Sequence, residues 1–337
     1  MREFQTQIEQ WQREKKKIVL ARVIQTWGSS PRPVGSVMFI SSALEMLGSV
    51  SGGCVEGAVV KEAKNSFDAA HGKRLLYGVT DDDAWAVGLT CGGKIQVYIQ
   101  PWTAEKVFEE LHEKLSINEG CVLVTSLAEG ISKNTLVDQE GKTFGDKLSS
   151  SLIEKSKQAY AMRTHQTVVE NDVDYFIHVF PPRSKMIIIG AAHIAADLVA
   201  LAHEFDFETI VIDPRNTFAK NTAFAVKPDR IVENYPSEVL NDFELDPYTY
   251  AVILSHDPKI DDNALEILLK KNVAYIGALG SRKNHEKRMA RLLEKGFTAE
   301  EIAKIDAPIG IDIQARGAKE IALSIMGAVI KAKNRYQ

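Results

Sequence analysis

Cysteine is scarce in this chain of 337 residues, which contains only Cys54, Cys91 and Cys121. Three is an odd number and no C-x-x-C pair is present, so the sequence indicates neither a disulfide framework nor a structural zinc site. Runs of about 18 apolar residues, which a membrane span needs, are also missing, as is the apolar core of a signal peptide. We therefore expect a protein of the reducing cytoplasm.

Charge of one sign is not in excess either. The chain has 41 basic and 45 acidic residues, a formal net charge of −4, so no overall field attracts nucleic acid or an anionic membrane. Hydrophobic residues make up 45% and charged residues 26%, which is typical of a soluble globular protein. The length predicts two domains.

The first half predicts a mixed α/β domain. β-Branched residues from Ile18 to Thr26 indicate a strand, and a second strand is expected from Ser36 to Ile40. The loop between them carries Ser29, Ser30 and Arg32 among two prolines and two glycines, a composition suited to gripping a phosphate. Further strands are expected at 94–100, 121–127 and 175–180, with helices at 104–115 and 148–162.

Pro181-Pro182-Arg183-Ser184 marks the clearest break, because consecutive prolines continue neither a helix nor a central strand. We predict domains at 1–180 and 184–337. Strand and helix patterns alternate in the second part, which favours a doubly wound parallel sheet. The predicted fold is therefore a mixed α/β N-terminal domain followed by a Rossmann-like doubly wound parallel-sheet domain.

The turn after the first predicted strand of this second domain partly matches the dinucleotide fingerprint. Gly190 holds its first glycine position, but Ala192 replaces the middle glycine that lets a pyrophosphate approach the backbone. Asp213 follows 23 residues later, where a ribose-binding carboxylate is expected, and neighbouring Arg215 would suit a phosphate. The pattern indicates the fold more strongly than it indicates NAD.

Two later loops carry polar residues at predicted strand ends. Ser255-His256-Asp257 resembles a catalytic cluster, but consecutive residues leaving a strand point to opposite sides, so we favour a cleft-lining loop over a proton relay. Gly280, Ser281 and Arg282 open a predicted helix, where they form either an anion cradle or a plain strand-to-helix connection.

Two cysteines lie among glycines. Cys54 follows Gly52 and Gly53, and a predicted helix beginning near Gly53 would place its thiol in the first turn, where thiolate character is favoured and Glu56 opposes it. Cys91 precedes two further glycines, and a soft sulfur in an open turn could hold a soft metal or a persulfide. The alternative is that these cysteines are small buried apolar residues, which is our interpretation of Cys121.

Six patterns together resemble the XdhC/CoxI family, accessory proteins of xanthine dehydrogenase and related molybdenum hydroxylases. They occur in both halves, in the order expected for the family. Two positions depart from it: Ala192 and Gln314 stand where glycine is expected. The matching segments are Gly28-Ser29-Ser30-Pro31-Arg32, 48–56, 190–195, Asp213-Pro214-Arg215, 275–282 and 307–313.

The resemblance implies a cytoplasmic chaperone of the molybdenum cofactor that is not itself a redox enzyme. Such a protein would bind molybdopterin or a nucleotide derivative and protect it while a cysteine desulfurase supplies the terminal sulfido ligand. It would then insert the cofactor into apo xanthine dehydrogenase, an enzyme of purine catabolism, or a related hydroxylase. A homodimer is a further expectation.

Under this hypothesis the cofactor-binding residues come from both domains. Ser29, Ser30 and Arg32 would hold phosphate or pterin oxygens, and Cys54 or Cys91 would lie near molybdenum or its incoming sulfur. The remaining candidates are Gly52, Gly53, Glu56, Gly190, His193, Asp213, Arg215, His256, Gly280, Ser281 and Arg282.

Two other functions stay open at this point. An NAD(P)-dependent oxidoreductase could use the second domain, with His256 as acid or base. A nucleotide-dependent transferase could use Arg32, Arg282 and a magnesium-binding Asp213 or Asp257, although no Walker glycine loop is present.

Overall fold

The computed structural model describes residues 1–68, 72–78, 93–102, 106–128, 132–215 and 224–334. The chain divides into two compact units, Met1–Pro182 and Arg183–Gln337, here called unit 1 and unit 2. Within the described ranges, no helix combines the length and apolarity that a bilayer crossing requires.

Unit 1 contains two five-stranded antiparallel sheets, with strand orders β3-β2-β1-β5-β4 and β8-β7-β6-β10-β9. The strands are β1 (Ile18–Trp27), β2 (Val37–Ser41), β3 (Met46–Gly48), β4 (Lys73–Gly78), β5 (Lys94–Trp102), β6 (Cys121–Ser126), β7 (Asn134–Val137), β8 (Thr143–Gly145), β9 (Gln166–Glu170) and β10 (Val173–Phe180). The helices are α1 (Gln5–Arg13), α2 (Glu56–Ser66), α3 (Lys106–Ser116) and α4 (Ser150–Ala161), with a 3-10 turn at Arg2–Phe4.

Alternate side chains of each central strand point to opposite faces of its sheet. One face of each sheet therefore packs against the other sheet, and the opposite face packs against a helix. On β1, Val19 and Ala21 pack with the apolar stripe of α2, whereas Ile18 and Leu20 share a core with residues of β6. The outer face of β6 packs with α4. Helices α2 and α4 thus cover the outer faces of the two sheets, and α1 and α3 pack into the core that both sheets share.

Unit 2 is built on a six-stranded parallel sheet of order β13-β12-β11-β14-β15-β16. The strands are β11 (Ser184–Ile189), β12 (Phe207–Ile212), β13 (Arg230–Val232), β14 (Thr249–Ile253), β15 (Tyr275–Ala278) and β16 (Ile305–Asp306). The helices are α5 (His193–Glu204), α6 (Pro236–Val239), α7 (Pro258–Leu268), α8 (Arg282–Glu294), α9 (Ala299–Ile302) and α10 (Ala318–Lys333), with a 3-10 turn at Leu240–Asp242.

This strand order is that of a Rossmann fold, counted from the first strand of the unit. Helices α5 and α10 cover one face of the sheet, and α7 and α8 cover the other. Strand order reverses between β11 and β14, so the loops at the carboxyl ends of these strands surround the position where such folds bind ligands. The doubly wound fold predicted from the sequence is confirmed.

Candidate functional site

Three glycine-containing segments of unit 1 meet at one end of its first sheet. Loop 28–35 joins β1 to β2, and an ideal Cβ on Gly52, in the segment before α2, would lie 3.9 Å from Pro31 Cβ. An ideal Cβ on Gly93, just before β5, would lie 2.0 Å from the Ser29 carbonyl oxygen. The structure thus brings the loop of Ser29, Ser30 and Arg32 beside the Gly52-Gly53 turn.

Gly52 and Gly53 are exposed and adopt positive φ angles of 75° and 117°. Among the residues that the structure describes, no atom lies within 4 Å of an ideal Cβ on Gly53. These residues therefore leave the space above the turn open, and its left-handed backbone is one that glycine adopts without strain.

Cys54 is half-buried and packs partly against the apolar cluster between the first sheet and α2. The prediction that it lies in the first helical turn is wrong, because Val55 is the N-cap and α2 begins at Glu56. Cys121 is fully buried, as predicted, and burial raises the pKa of its thiol to about 12. Cys91 lies outside the described residues.

Ser29 and Arg32 are exposed at the rim of loop 28–35, and Ser30 is half-buried. The Ser30 hydroxyl donates to the Arg32 carbonyl oxygen over 2.8 Å, so this side chain helps to shape the loop. The Gly35 N–H donates to the Val23 carbonyl oxygen over 2.8 Å, which fixes the far end of the loop to β1.

Two histidines that no sequence pattern singled out, the half-buried His165 and the buried His178, lie under loop 28–35. His165 occupies the space that a Gly35 side chain would need, 2.2 Å from its ideal Cβ, and accepts a hydrogen bond from the Val179 N–H over 3.1 Å. His178 packs edge-on against His165 and bonds to the Gly35 backbone. Burial lowers the pKa of His165 to about 4 and that of His178 well below its usual range, so both rings are neutral at pH 7.

Arg22 is fully buried between the two sheets. Its Nη2 donates to Gln100 Oε1 over 3.0 Å and to Thr125 Oγ1 over 2.9 Å, which joins the two sheets. Burial lowers the pKa of this guanidinium to about 10, so it stays charged at pH 7. The sequence signal that could have revealed this link is the charged residue Arg22 within the β-branched run that begins at Ile18.

In unit 2, the backbone conformation and the close packing at position 190 both require glycine. Its φ is 105°, and an ideal Cβ would lie 2.7 Å from the Ser255 Cα and N atoms at the end of β14. Ala192, at the middle fingerprint position, has φ −84° and ψ 179°, which alanine adopts readily. His193 is the exposed first residue of α5.

Asp213 is fully buried at the end of β12, and both of its carboxylate oxygens are engaged within the chain. Oδ2 accepts from the Ala191 N–H and from Arg215 Nη2, each over 2.8 Å, and Oδ1 accepts from the Arg215 N–H and Nε, each over 2.9 Å. Burial alone would raise the pKa of Asp213, but these donors outweigh it and lower the pKa. The carboxylate has no solvent-accessible surface for a ribose hydroxyl.

The side chains of Ser255 and Asp257 bond to different partners, and the Ser255 hydroxyl meets Asp257 only at its backbone. Ser255 Oγ donates to Asp261 Oδ1 over 2.5 Å, whereas Asp257 caps α7 by accepting from the Lys259 N–H over 2.9 Å. His256 is exposed and has a positive φ of 61°. This arrangement agrees with a loop at the sheet edge and contains no relay through the three residues.

The Gly280 turn leads into α8, where Ser281 is the N-cap and accepts from the Asn284 N–H over 3.3 Å. Arg282 is exposed. A second arginine of α8, Arg288, is buried behind the turn and donates from Nη2 to the Leu279 carbonyl over 3.0 Å and to Asp261 over 3.3 Å. In the part of the chain that the structure describes, no group of three or more His, Cys, Asp or Glu residues could hold a metal ion.

Comparison with known proteins places this geometry in context. Residues 186–329 match the family described as the XdhC Rossmann domain, and residues 11–78 match the XdhC and CoxI family. A Bacillus subtilis protein, named as a probable xanthine dehydrogenase subunit, is 27% identical over 99% of both chains. The molybdenum cofactor insertion chaperone PaoD of Escherichia coli is 24% identical over 94% of this chain and 84% of its own.

A crystal structure from Bacillus halodurans, described as a xanthine dehydrogenase, is 25% identical to this chain. It superposes with a TM-score of 0.79, covering 99% of this chain and 96% of the other. The matches to both family descriptions occur in the expected order along the sequence, and the fold agrees over nearly the whole length. The chain therefore belongs to the XdhC/CoxI family.

Proposed function

We propose that this protein is a maturation factor that binds the molybdenum cofactor and delivers it to xanthine dehydrogenase or a related molybdenum hydroxylase. The observation that carries the proposal is the convergence of loop 28–35 with the Gly52-Gly53-Cys54 turn in unit 1. The name of the Escherichia coli relative, a molybdenum cofactor insertion chaperone, supports the same role, and the name of the Bacillus subtilis relative supports the link to xanthine dehydrogenase.

The residues at this convergence fit a ligand that carries a phosphate at one end and a dithiolene-bound metal at the other. Arg32 and Ser29 are exposed on one loop, where they can donate to phosphate oxygens. Cys54 on the neighbouring turn offers a soft sulfur, the ligand type that suits a soft metal or an incoming sulfur atom. The described residues leave space above Gly53 that is large enough for a bulky ligand to approach.

The proposal has three finer parts: a cysteine desulfurase as the sulfur donor, the form of the pterin that is bound, and a homodimeric state.

The oxidoreductase alternative gains no support from unit 2, because Asp213 is buried and its carboxylate is fully engaged by Ala191 and Arg215. His256, its candidate acid or base, has no carboxylate relay through Ser255 or Asp257.

The test is metal and pterin analysis of the full chain purified from a host that makes the cofactor. We expect wild type to carry molybdenum and pterin, and Cys54→Ser to lose at least roughly tenfold of both, as for loss of a residue supporting a metal site. Cys121→Ser is the matched control, because that thiol is buried in the core of the same unit. Arg32→Ala should lose pterin phosphate affinity.

Two results would contradict the proposal. In the first, wild-type protein purified from this host contains neither molybdenum nor pterin, and it also fails to bind purified cofactor that is added to it. Alternatively, Cys54→Ser and Arg32→Ala could both bind as wild type does, which would place the cofactor elsewhere. A separate assay, activation of the apo hydroxylase by loaded protein, measures delivery.

A further inference from the structure

The carboxylate of Glu56 accepts hydrogen bonds from most residues of the turn that precedes it. Oε1 accepts from Ser49 Oγ over 2.6 Å, from the Val50 N–H over 3.1 Å and from the Ser51 N–H over 2.8 Å. Oε2 accepts from the Gly53 N–H over 2.8 Å and from Ser51 Oγ. Five donors within eight residues therefore converge on one side chain.

The two serine hydroxyls extend this arrangement. Ser49 Oγ accepts from the Gly52 N–H over 2.8 Å, and Ser51 Oγ accepts from the Val55 N–H over 2.9 Å. The backbone N–H groups of residues 50–53 and of Val55 thus point inward, toward Glu56 or toward hydroxyls that donate to it. The turn does not offer these amides to an anionic ligand.

The charge of Glu56 is also directed inward. Burial alone would raise the pKa of this carboxyl, but the hydrogen bonds from Ser49, Ser51 and the backbone outweigh it and lower the pKa to about 2. An ionised carboxylate with five donors has little remaining capacity to accept from a ligand, and its bonds are of the strong, charge-assisted kind.

We infer that Glu56 is a positioning residue, and that it fixes the shape of the Gly52-Gly53-Cys54 turn without touching the cofactor itself. This inference rests on the proposed function and deepens it. It divides the site into two parts: the turn presents exposed glycine backbone beside the half-buried thiol of Cys54, and the phosphate of the ligand lies on the side of loop 28–35. The sequence predicted Glu56 as a cofactor-binding residue together with its neighbours Gly52, Gly53 and Cys54. The inference gives Glu56 a different role from these neighbours.

Glu56→Gln tests the inference in the full-length protein. The glutamine keeps the shape of the side chain, but its amide NH₂ faces backbone N–H groups that already donate at that position, so part of the network must open. Glu45→Gln is the matched control, because Glu45 ties another turn of the same sheet by accepting from Ser41 Oγ and Lys16 Nζ, each over 2.7 Å.

The first readout needs no cofactor. We expect amide exchange of residues 50–53 and alkylation of Cys54, both resolved by peptide mass spectrometry, to become roughly 5- to 30-fold faster in Glu56→Gln. Glu45→Gln should leave both rates unchanged. Equal rates in Glu56→Gln and wild type would overturn the inference, whether or not the protein binds the cofactor.

The second readout is molybdenum and pterin content. Glu56→Gln should lose at least roughly tenfold, Glu56→Asp should recover part of the loss because it keeps the charge, and Glu45→Gln should keep the wild-type content. A loosened turn with wild-type cofactor content would show that Glu56 shapes the turn without serving the site, and would overturn the role assigned to it. Wild type without cofactor refutes the proposed function alone, since the first readout still decides whether Glu56 positions the turn.

Discussion

Both units contain a glycine turn after a strand, but the surroundings of the glycine differ between the two turns. No atom in the described part of unit 1 lies within 4 Å of an ideal Cβ on Gly53. Gly190 in unit 2 faces the Ser255 backbone at 2.7 Å. The first turn leaves room above its backbone, whereas the second uses the missing side chain to bring two strand ends together. A shared sequence signal therefore does not establish a shared use.

The two turns are also organised by different kinds of carboxylate. Glu56 is stabilised by neutral donors, two serine hydroxyls and three backbone amides. Asp213 is fully buried and is stabilised mainly by the guanidinium of Arg215. Loss of a neutral donor weakens one bond of several, whereas loss of the cation leaves a buried charge without its counter-ion.

The largest effect that separates the two turns is expected from alanine at the glycines. Gly190→Ala should destabilise unit 2 by about 2–6 kcal/mol, the sum of left-handed strain and overpacking. Gly53→Ala should cost unit 1 only the strain, about 1–3 kcal/mol. Chemical denaturation measures both, and all four tryptophans lie before residue 183, so tryptophan fluorescence follows unit 1 while circular dichroism follows both.

Equal costs for the two substitutions would contradict this comparison.

Arg215→Met should have the next largest effect. It leaves Asp213, which has no exposed surface, without its cation, and we expect a loss of about 2–3 kcal/mol, below the usual range for buried pairs because Arg215 is partly exposed. Denaturation followed by circular dichroism checks the value. The double variant Arg215→Met with Asp213→Asn should recover stability; if the double variant were as unstable as the sum of the singles, the pair would not be coupled.

Much of this fold was predictable because strands and helices of ordinary length carry periodic apolar patterns. The predicted strands at 18–26, 94–100 and 175–180 agree with β1, β5 and β10 within a few residues. The short edge strands β3, β8 and β13 were not predicted, since three residues carry no periodicity. Gln314 has a φ of 58°, which explains why glycine is expected at that position.

The candidate site was less predictable, because its geometry depends on contacts between distant segments. Sequence patterns selected Gly52, Gly53 and Cys54, but not the support of loop 28–35 by two distant histidines. His165 directly precedes β9, and His178 lies on β10 of the second sheet. Cys54 was placed inside α2, because an apolar stripe shows where a helix runs but locates its first residue poorly. The network around Glu56 gave no periodic signal at all.

The smallest effect concerns pH and the carboxylate of unit 1. The ordinary pKa of Glu56 is 4.5 and its pKa in the folded chain is about 2, so the folded state binds the proton less readily than the unfolded state. The stability that Glu56 contributes is complete above pH 4.5 and is lost as pH falls toward 2. Glu56→Gln has no such group, so the stability advantage of wild type over this variant should be constant from pH 7 to about 5 and shrink below that. Denaturation by tryptophan fluorescence across this range checks the sign, and an advantage that grows as pH falls would show that Glu56 is not held as a carboxylate by Ser49, Ser51 and the backbone.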